Sequence, residues 1–160
     1  MKNVLQIVIL LIILMGSFSL QAQTKLGIKG GFNFTFLNEE QGNFGANQKV
    51  QTGYYFGAFT NLNIKNKFNL QPELLFISLG DFKFLNAPIY FKYNINDDFN
   101  ILVGPSINYF FDFFNAKLKV RVDLGLTYNL SSRLDLQMKY TIGFEEIAPN
   151  GIFLGLGFKL

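Results

Sequence analysis

The 160-residue chain has no Cys, no His and no Trp, and charged side chains make up only 16% of it. Without Cys there is no disulfide framework, and without Cys and His there is no zinc site of the usual kind. The same two absences remove Ser-His, Cys-His and His-metal catalysis. So little charge is unusual for a surface that faces only water. What is abundant is apolar: 49% hydrophobic residues, with 20 Phe and 15 Gly, which is far from a disordered composition. Something other than water is expected to cover part of the molecule. The length suits one domain. The formal charge of +3 is too small for a nucleic-acid footprint.

The first residues read as an address. Lys2 and Asn3 precede the apolar run Val4 to Met15, which only Gln6 interrupts, and Gly16, Ser17, Ser19 and Ala22 follow. Charge, apolar core and small residues in that order describe a secretory signal peptide. The run is shorter than the roughly 20 residues of a spanning helix. Cleavage is expected near Ala22 or Gln23, dividing the chain into a signal peptide, 1–22, and a mature domain, 23–160. No Cys follows the run, which excludes a lipoprotein anchor. Removing Lys2 leaves 13 basic against 11 acidic residues, a charge of +2.

From Lys25 onward the dominant period is two, the signature of strands with unlike faces. Leu26, Ile28, Phe32, Phe34 and Phe36 share one face, and Lys25, Lys29, Asn33 and Thr35 the other. Comparable runs at about 52–64, 68–79, 84–95, 99–110, 119–130, 134–144 and 151–160 bring the expected strands to eight. Tight polar turns are expected at Lys65-Asn66-Lys67, Asn96-Asp97-Asp98 and Ser131-Ser132-Arg133. Between them fall the other connections: Asn38 to Gln51, Gly80 to Lys83, Phe111 to Leu118 and Glu145 to Asn150. Short and longer connections in alternation describe an up-and-down meander that closes into a barrel.

Two closed barrels alternate this way with opposite faces inward: the lipocalin and the outer-membrane barrel. Glycine separates them. Gly27, Gly31, Gly53, Gly57, Gly104, Gly125, Gly143, Gly151, Gly155 and Gly157 share the register of the polar residues, and only Gly30 falls among the apolar ones. Small residues belong on the crowded inside of a narrow barrel. The lumen is then polar, and the outward Phe, Leu, Ile and Val belt calls for lipid. The expected fold is all-β: an eight-stranded antiparallel up-and-down transmembrane β-barrel, integral to the outer membrane. Tyr55, Phe59, Leu75, Ile77, Leu102 and Phe153 depart from the pattern by falling on the inner face. Aromatic girdles are expected from Tyr93, Phe99, Tyr128 and Phe158 at the short-turn end, and from Phe36, Tyr54, Tyr109 and Phe144 at the other.

Several segments resemble the small porin-family, PorT-like outer-membrane β-barrel proteins of Bacteroidetes-type Gram-negative bacteria. These are Leu26-Gly27-Ile28-Lys29-Gly30-Gly31-Phe32-Asn33, Leu70-Gln71-Pro72-Glu73-Leu74-Leu75, Ala87-Pro88-Ile89 with Lys92-Tyr93, Gly104-Pro105, and Gly155-Leu156-Gly157-Phe158-Lys159-Leu160. The resemblance covers essentially the whole mature chain and implies an envelope role, usually without an assigned reaction. The turn Gly80 to Lys83 is shorter than is common in such proteins. Gly155, Phe158 and Leu160 also resemble the terminal assembly signal of outer-membrane barrels, which implies the barrel-assembly machinery as a folding partner.

Ionisable residues on the inward register are Lys29, Glu73, Lys92, Arg121, Asp123, Asp135 and Lys139. Asp123 and Asp135 could be read as paired carboxylates. Arg121 and Lys139 are expected beside them, however, and charge inside a narrow lumen must be compensated. Glu73, Lys92, Arg121, Asp123, Asp135 and Lys139 are therefore expected to form a structural polar plug, with no catalytic residue, metal or cofactor. The loops are the expected place for recognition. Tyr109, Phe110, Phe111, Phe113 and Phe114 form a possible contact for lipopolysaccharide or an envelope protein, or else extend the strands with self-packed rings. The leading expectation is a non-enzymatic outer-membrane barrel with an envelope-structural or surface-interaction role. The alternatives are a narrow porin-like channel or PorT-like secretion accessory, and a secreted lipocalin-like binder.

Overall fold

A computed structural model describes residues 25–38, 48–80, 82–111, 118–143 and 150–160. The expected signal peptide, the acidic pair Glu39-Glu40, Phe113, Phe114, Phe144 and the acidic residues of the last loop lie outside the described residues. Among the described residues the chain forms β1 (Lys25–Asn38), β2 (Gln48–Lys65), β3 (Phe68–Leu79), β4 (Phe82–Asn94), β5 (Phe99–Phe110), β6 (Leu118–Asn129), β7 (Leu134–Gly143) and β8 (Gly151–Lys159). Each strand pairs antiparallel with its neighbour in sequence, and β1 pairs with β8, so the sheet is a closed eight-stranded barrel. The shortest strand, β8 with 9 residues, still reaches the roughly 9–11 residues of a tilted membrane strand. Most strand limits fall within about two residues of expectation. The exception is β2, which begins at Gln48, inside the expected first loop.

The turns follow from their side chains. Asn66 takes the left-handed conformation with φ 43°, which Asn tolerates, and this lets β2 turn into β3. In the β4–β5 turn the Asn96 side-chain oxygen accepts from the backbone N–H of Asp98 at 3.0 Å and of Phe99 at 2.7 Å. Ser131 Oγ does the same for Leu134 at 3.1 Å between β6 and β7. At the opposite end Gly80, with φ 60°, turns β3 toward β4.

The faces are unlike, and the apolar one looks out. Leu26, Ile28, Phe32, Leu124 and Leu154 are exposed, whereas Asn33 and Asp123 are buried to 1% and 0% exposure. A lipocalin would have the reverse. A continuous apolar circumference is stable only against lipid, so this is an integral outer-membrane β-barrel. Toward the short-turn end the outward rings pair across strands: Phe68 with Tyr93 at 5.0 Å between centroids and Phe99 with Tyr128 at 4.7 Å. Phe158 lies outward at the same end. At the loop end, Tyr54 and Tyr109 are exposed and Phe36 is half-buried.

The seam between β1 and β8 depends on glycine. Gly31 faces Gly155, and a Cβ on Gly31 would overlap the Leu154 carbonyl, while one on Gly155 would overlap the Tyr55 hydroxyl. Gly31→Val and Gly155→Val are therefore expected to abolish the fast-migrating folded band in electrophoresis without boiling. Gly30→Ala, whose Cβ would come no nearer than 3.2 Å to the Tyr55 carbonyl, should retain it. A fast-migrating Gly31→Val band would contradict this seam.

Candidate functional site in the barrel lumen

Inward side chains from all eight strands meet in three storeys. Toward the loop end the lumen is apolar and amide-rich. Phe84 stacks on Phe110 at 4.6 Å between centroids, and Asn86 donates to Asn108 at 3.0 Å. The Arg121 guanidinium lies over the Phe110 ring at 5.8 Å. Just below, Tyr55 meets Phe153 edge-on at 5.4 Å, and Leu75 and Ile77 complete the same cluster. Four of the six inner-face exceptions, Tyr55, Leu75, Ile77 and Phe153, are thus lumen packing. Phe59 and Leu102 also point inward, each 3% exposed.

The middle storey holds two separate charged centres. In one, the Lys29 ammonium pairs with Glu73 and donates to Gln137 Oε1 at 2.9 Å. Gln71 donates to the same Glu73 oxygen at 2.7 Å, and the Phe59 ring lies 4.7 Å from Lys29 Nζ. In the other, Asp123 accepts from the Tyr90 hydroxyl at 2.7 Å and from Ser106 Oγ at 3.1 Å. Lys139 stands 4.0 Å from the same carboxylate and 4.5 Å from the Phe153 ring centroid. A carboxylate with two neutral donors and a cation, next to a ring face, is a compensated buried charge.

At the short-turn end the lumen opens. A cavity of about 220 Å³ is lined by Lys25, Lys92, Lys159 and six asparagines. Asp135 lies beside it, 3.7 Å from Lys159 Nζ, and Lys159 also donates to Asn129 at 3.0 Å.

All six residues of the expected plug point into the lumen, none more than 6% exposed, but they do not form one network. Asp135 pairs with Lys159 rather than with Lys139, because the stagger of the barrel sets Asp135 opposite Gly157 while Lys139 lies higher, beside Gly125. Arg121 has no ion pair within 4.0 Å of Asp123; it rests on Phe110. Lys29, absent from the expected plug, supplies the cation for Glu73. Tyr90, fully buried and bonded to Asp123, was not anticipated. Its signal is its register, two residues from Lys92 and four from Asn86 on the same face.

Phe110 needs correction as a surface contact. It is 7% exposed and inward, because β5 keeps its alternation to its last residue. Tyr109 is exposed and meets Phe111 edge-on at 5.7 Å, so these two remain at the loop-end rim. Gly155 lies in the seam, Phe158 outward, and the exposed Leu160 donates its backbone N–H to the Leu26 carbonyl at 2.9 Å. Among the described residues, no group of three or more Asp or Glu side chains gathers at one place.

Asp123→Asn is expected to destabilise the folded barrel by about 2–3 kcal/mol in urea unfolding, since charge-assisted hydrogen bonds are lost and Lys139 is left uncompensated. Adding Lys139→Met should cost less than the sum of the two single changes. Strict additivity would show that the two groups are not coupled.

No family model and no curated protein matches the chain. Solved structures do. A de novo designed transmembrane β-barrel matches 85% of this chain and 95% of its own at TM-score 0.56 and 15% identity. Ail, the attachment invasion locus protein of Yersinia pestis, matches over 86% and 99% at TM-score 0.55 and 14% identity. Neisserial surface protein A matches over 86% and 96% at TM-score 0.55 and 9% identity. Likeness at such identities concerns the fold alone, and the fold is that of the eight-stranded outer-membrane barrels.

Proposed function

We propose that the protein is a non-enzymatic outer-membrane barrel whose role is envelope-structural or surface-interacting, with its chemistry confined to holding the lumen together. The observation that carries this reading is the packing of the described lumen residues, where the Tyr55–Phe153 and Phe84–Phe110 pairs and both charged centres are buried between the strands. The interior of an eight-stranded barrel is narrow enough for side chains to fill, with room at most for one small ligand rather than an aqueous channel. Both oxygens of the buried Asp123 carboxylate accept from neighbouring hydroxyls, and Glu73 holds Lys29 and Gln71 through one oxygen, Oε1.

Recognition then belongs to the loop-end rim, with Tyr109 and Phe111 as its described aromatic part and lipopolysaccharide or an envelope protein as the partner class. Ail, which shares the architecture, has been solved in complex with a heparin analogue, sucrose octasulfate. That supports the capacity of such a scaffold for surface binding, not the same ligand here. The finer tie to PorT-like barrels of Bacteroidetes-type bacteria rests on the motifs in β1, β3, β4, β5 and β8. Export through the Val4–Met15 signal and insertion by the barrel-assembly machinery, using Gly155, Phe158 and Leu160, complete the reading.

Planar-bilayer recording tests it against the channel alternative. The purified barrel should give no discrete conductance steps, and Arg121→Glu, which sets a second carboxylate near Asp123, should lower thermal stability. Stable unitary openings of the unaltered protein would overturn the reading in favour of a channel.

A further inference from the structure

The basic cavity at the short-turn mouth has no part in the function proposed above. Lys25, Lys92 and Lys159 line it and no carboxylate does. Lys159 is matched by Asp135. Lys92 is 4% exposed yet has no hydrogen bond or ion pair among the described residues, and its side chain faces the cavity. An ammonium with so little exposure and no hydrogen-bond or ion-pair partner within reach is costly, and an anion in the cavity would supply that partner. The remaining lining suits a polar ligand. Asn100 is held by its bond to Thr127 at 3.0 Å, Asn69 by its bond to Asn94 at 3.2 Å, and the buried Asn61 Oδ1 is left without a donor.

We propose that this mouth is a binding site for a small phosphomonoester or inorganic phosphate entering from the periplasmic side. The lining carries three lysines and no carboxylate, with Asp135 beside Lys159, a basic excess that suits a phosphate group of about −1.5 to −2 at neutral pH. Lysine is a phosphate partner that acts as a point charge and does not need planar geometry. The amides supply donors and acceptors for the hydroxyls of a phosphorylated polyol, and about 220 Å³ holds a ligand of that size with some water. Short turns face the periplasm in barrels of this type, which sets the side of entry.

The test is titration of the mature protein, folded in a phosphate-free zwitterionic detergent, with inorganic phosphate and with glycerol 3-phosphate, followed by calorimetry at fixed ionic strength. Saturable binding is expected, weakened at least tenfold by Lys92→Gln and by Lys25→Gln. Lys67→Gln, an exposed turn residue at the same end, should leave it unchanged. Heat-modifiable migration confirms that each variant is folded. Because Lys25 is exposed, its variant tests the site even if Lys92→Gln does not fold. Repeating the titration in phosphatidylglycerol nanodiscs separates the two sources of phosphate. Retained affinity supports the soluble ligand, whereas its loss overturns it in favour of a lipid headgroup in the same mouth. No saturable binding, or equal weakening by Lys67→Gln, overturns the site altogether.

Discussion

In hydrocarbon there is no water to satisfy a stray backbone N–H or carbonyl, so a sheet in the bilayer must close on itself. Here closure happens where β1 meets β8, over the rungs from Gly27–Lys159 to Thr35–Gly151. The rest of the structure depends on that seam. Closing a sheet of eight strands fixes a narrow lumen, and a narrow lumen decides which side chains can point inward. Gly31 and Gly155 meet at the seam because side chains there would collide with the opposite backbone and with Tyr55. The outward face is free of this crowding and is left to Phe, Leu and Ile.

A polar lumen surrounded by lipid cannot carry unmatched charge at its centre. Both middle centres obey that rule: Lys29 with Glu73, and Lys139 with Asp123, each braced by neutral donors and an aromatic face. Aromatic pairs then fill the storey above. The exception is the short-turn mouth, where lysines gather without enough acid and where water can reach them. The buried lysines of the middle storey, Lys29 and Lys139, each have a carboxylate within 4.0 Å and Lys92 has none, and that contrast singles out the mouth as a place for a ligand.

Much of the fold was legible in the sequence because two signals agreed: alternation along each strand, and glycine in the register of the polar residues. Asn66, Asn96 and Ser131 marked their turns by the side-chain chemistry that builds them. The start of β2 was hidden because Gln48, Lys49 and Gln51 are polar, so no apolar alternation distinguishes them from a loop. Phe110 was hidden for the converse reason, since Tyr109, Phe110 and Phe111 are all aromatic and parity alone tells which one turns inward. The inward placement of the charges could be read, but not their partners. Whether Asp135 meets Lys139 or Lys159 depends on stagger around the barrel, a property of closure that no single strand carries.

The central claim is that the Leu124 face meets acyl chains and the Asp123 face does not. The chain has no Trp, so Leu124→Trp introduces a single reporter on the belt. In vesicles of lipid brominated along the acyl chain, its fluorescence should be strongly quenched and insensitive to aqueous iodide. Quenching by iodide with none from the brominated chains would place this face in water and contradict the account.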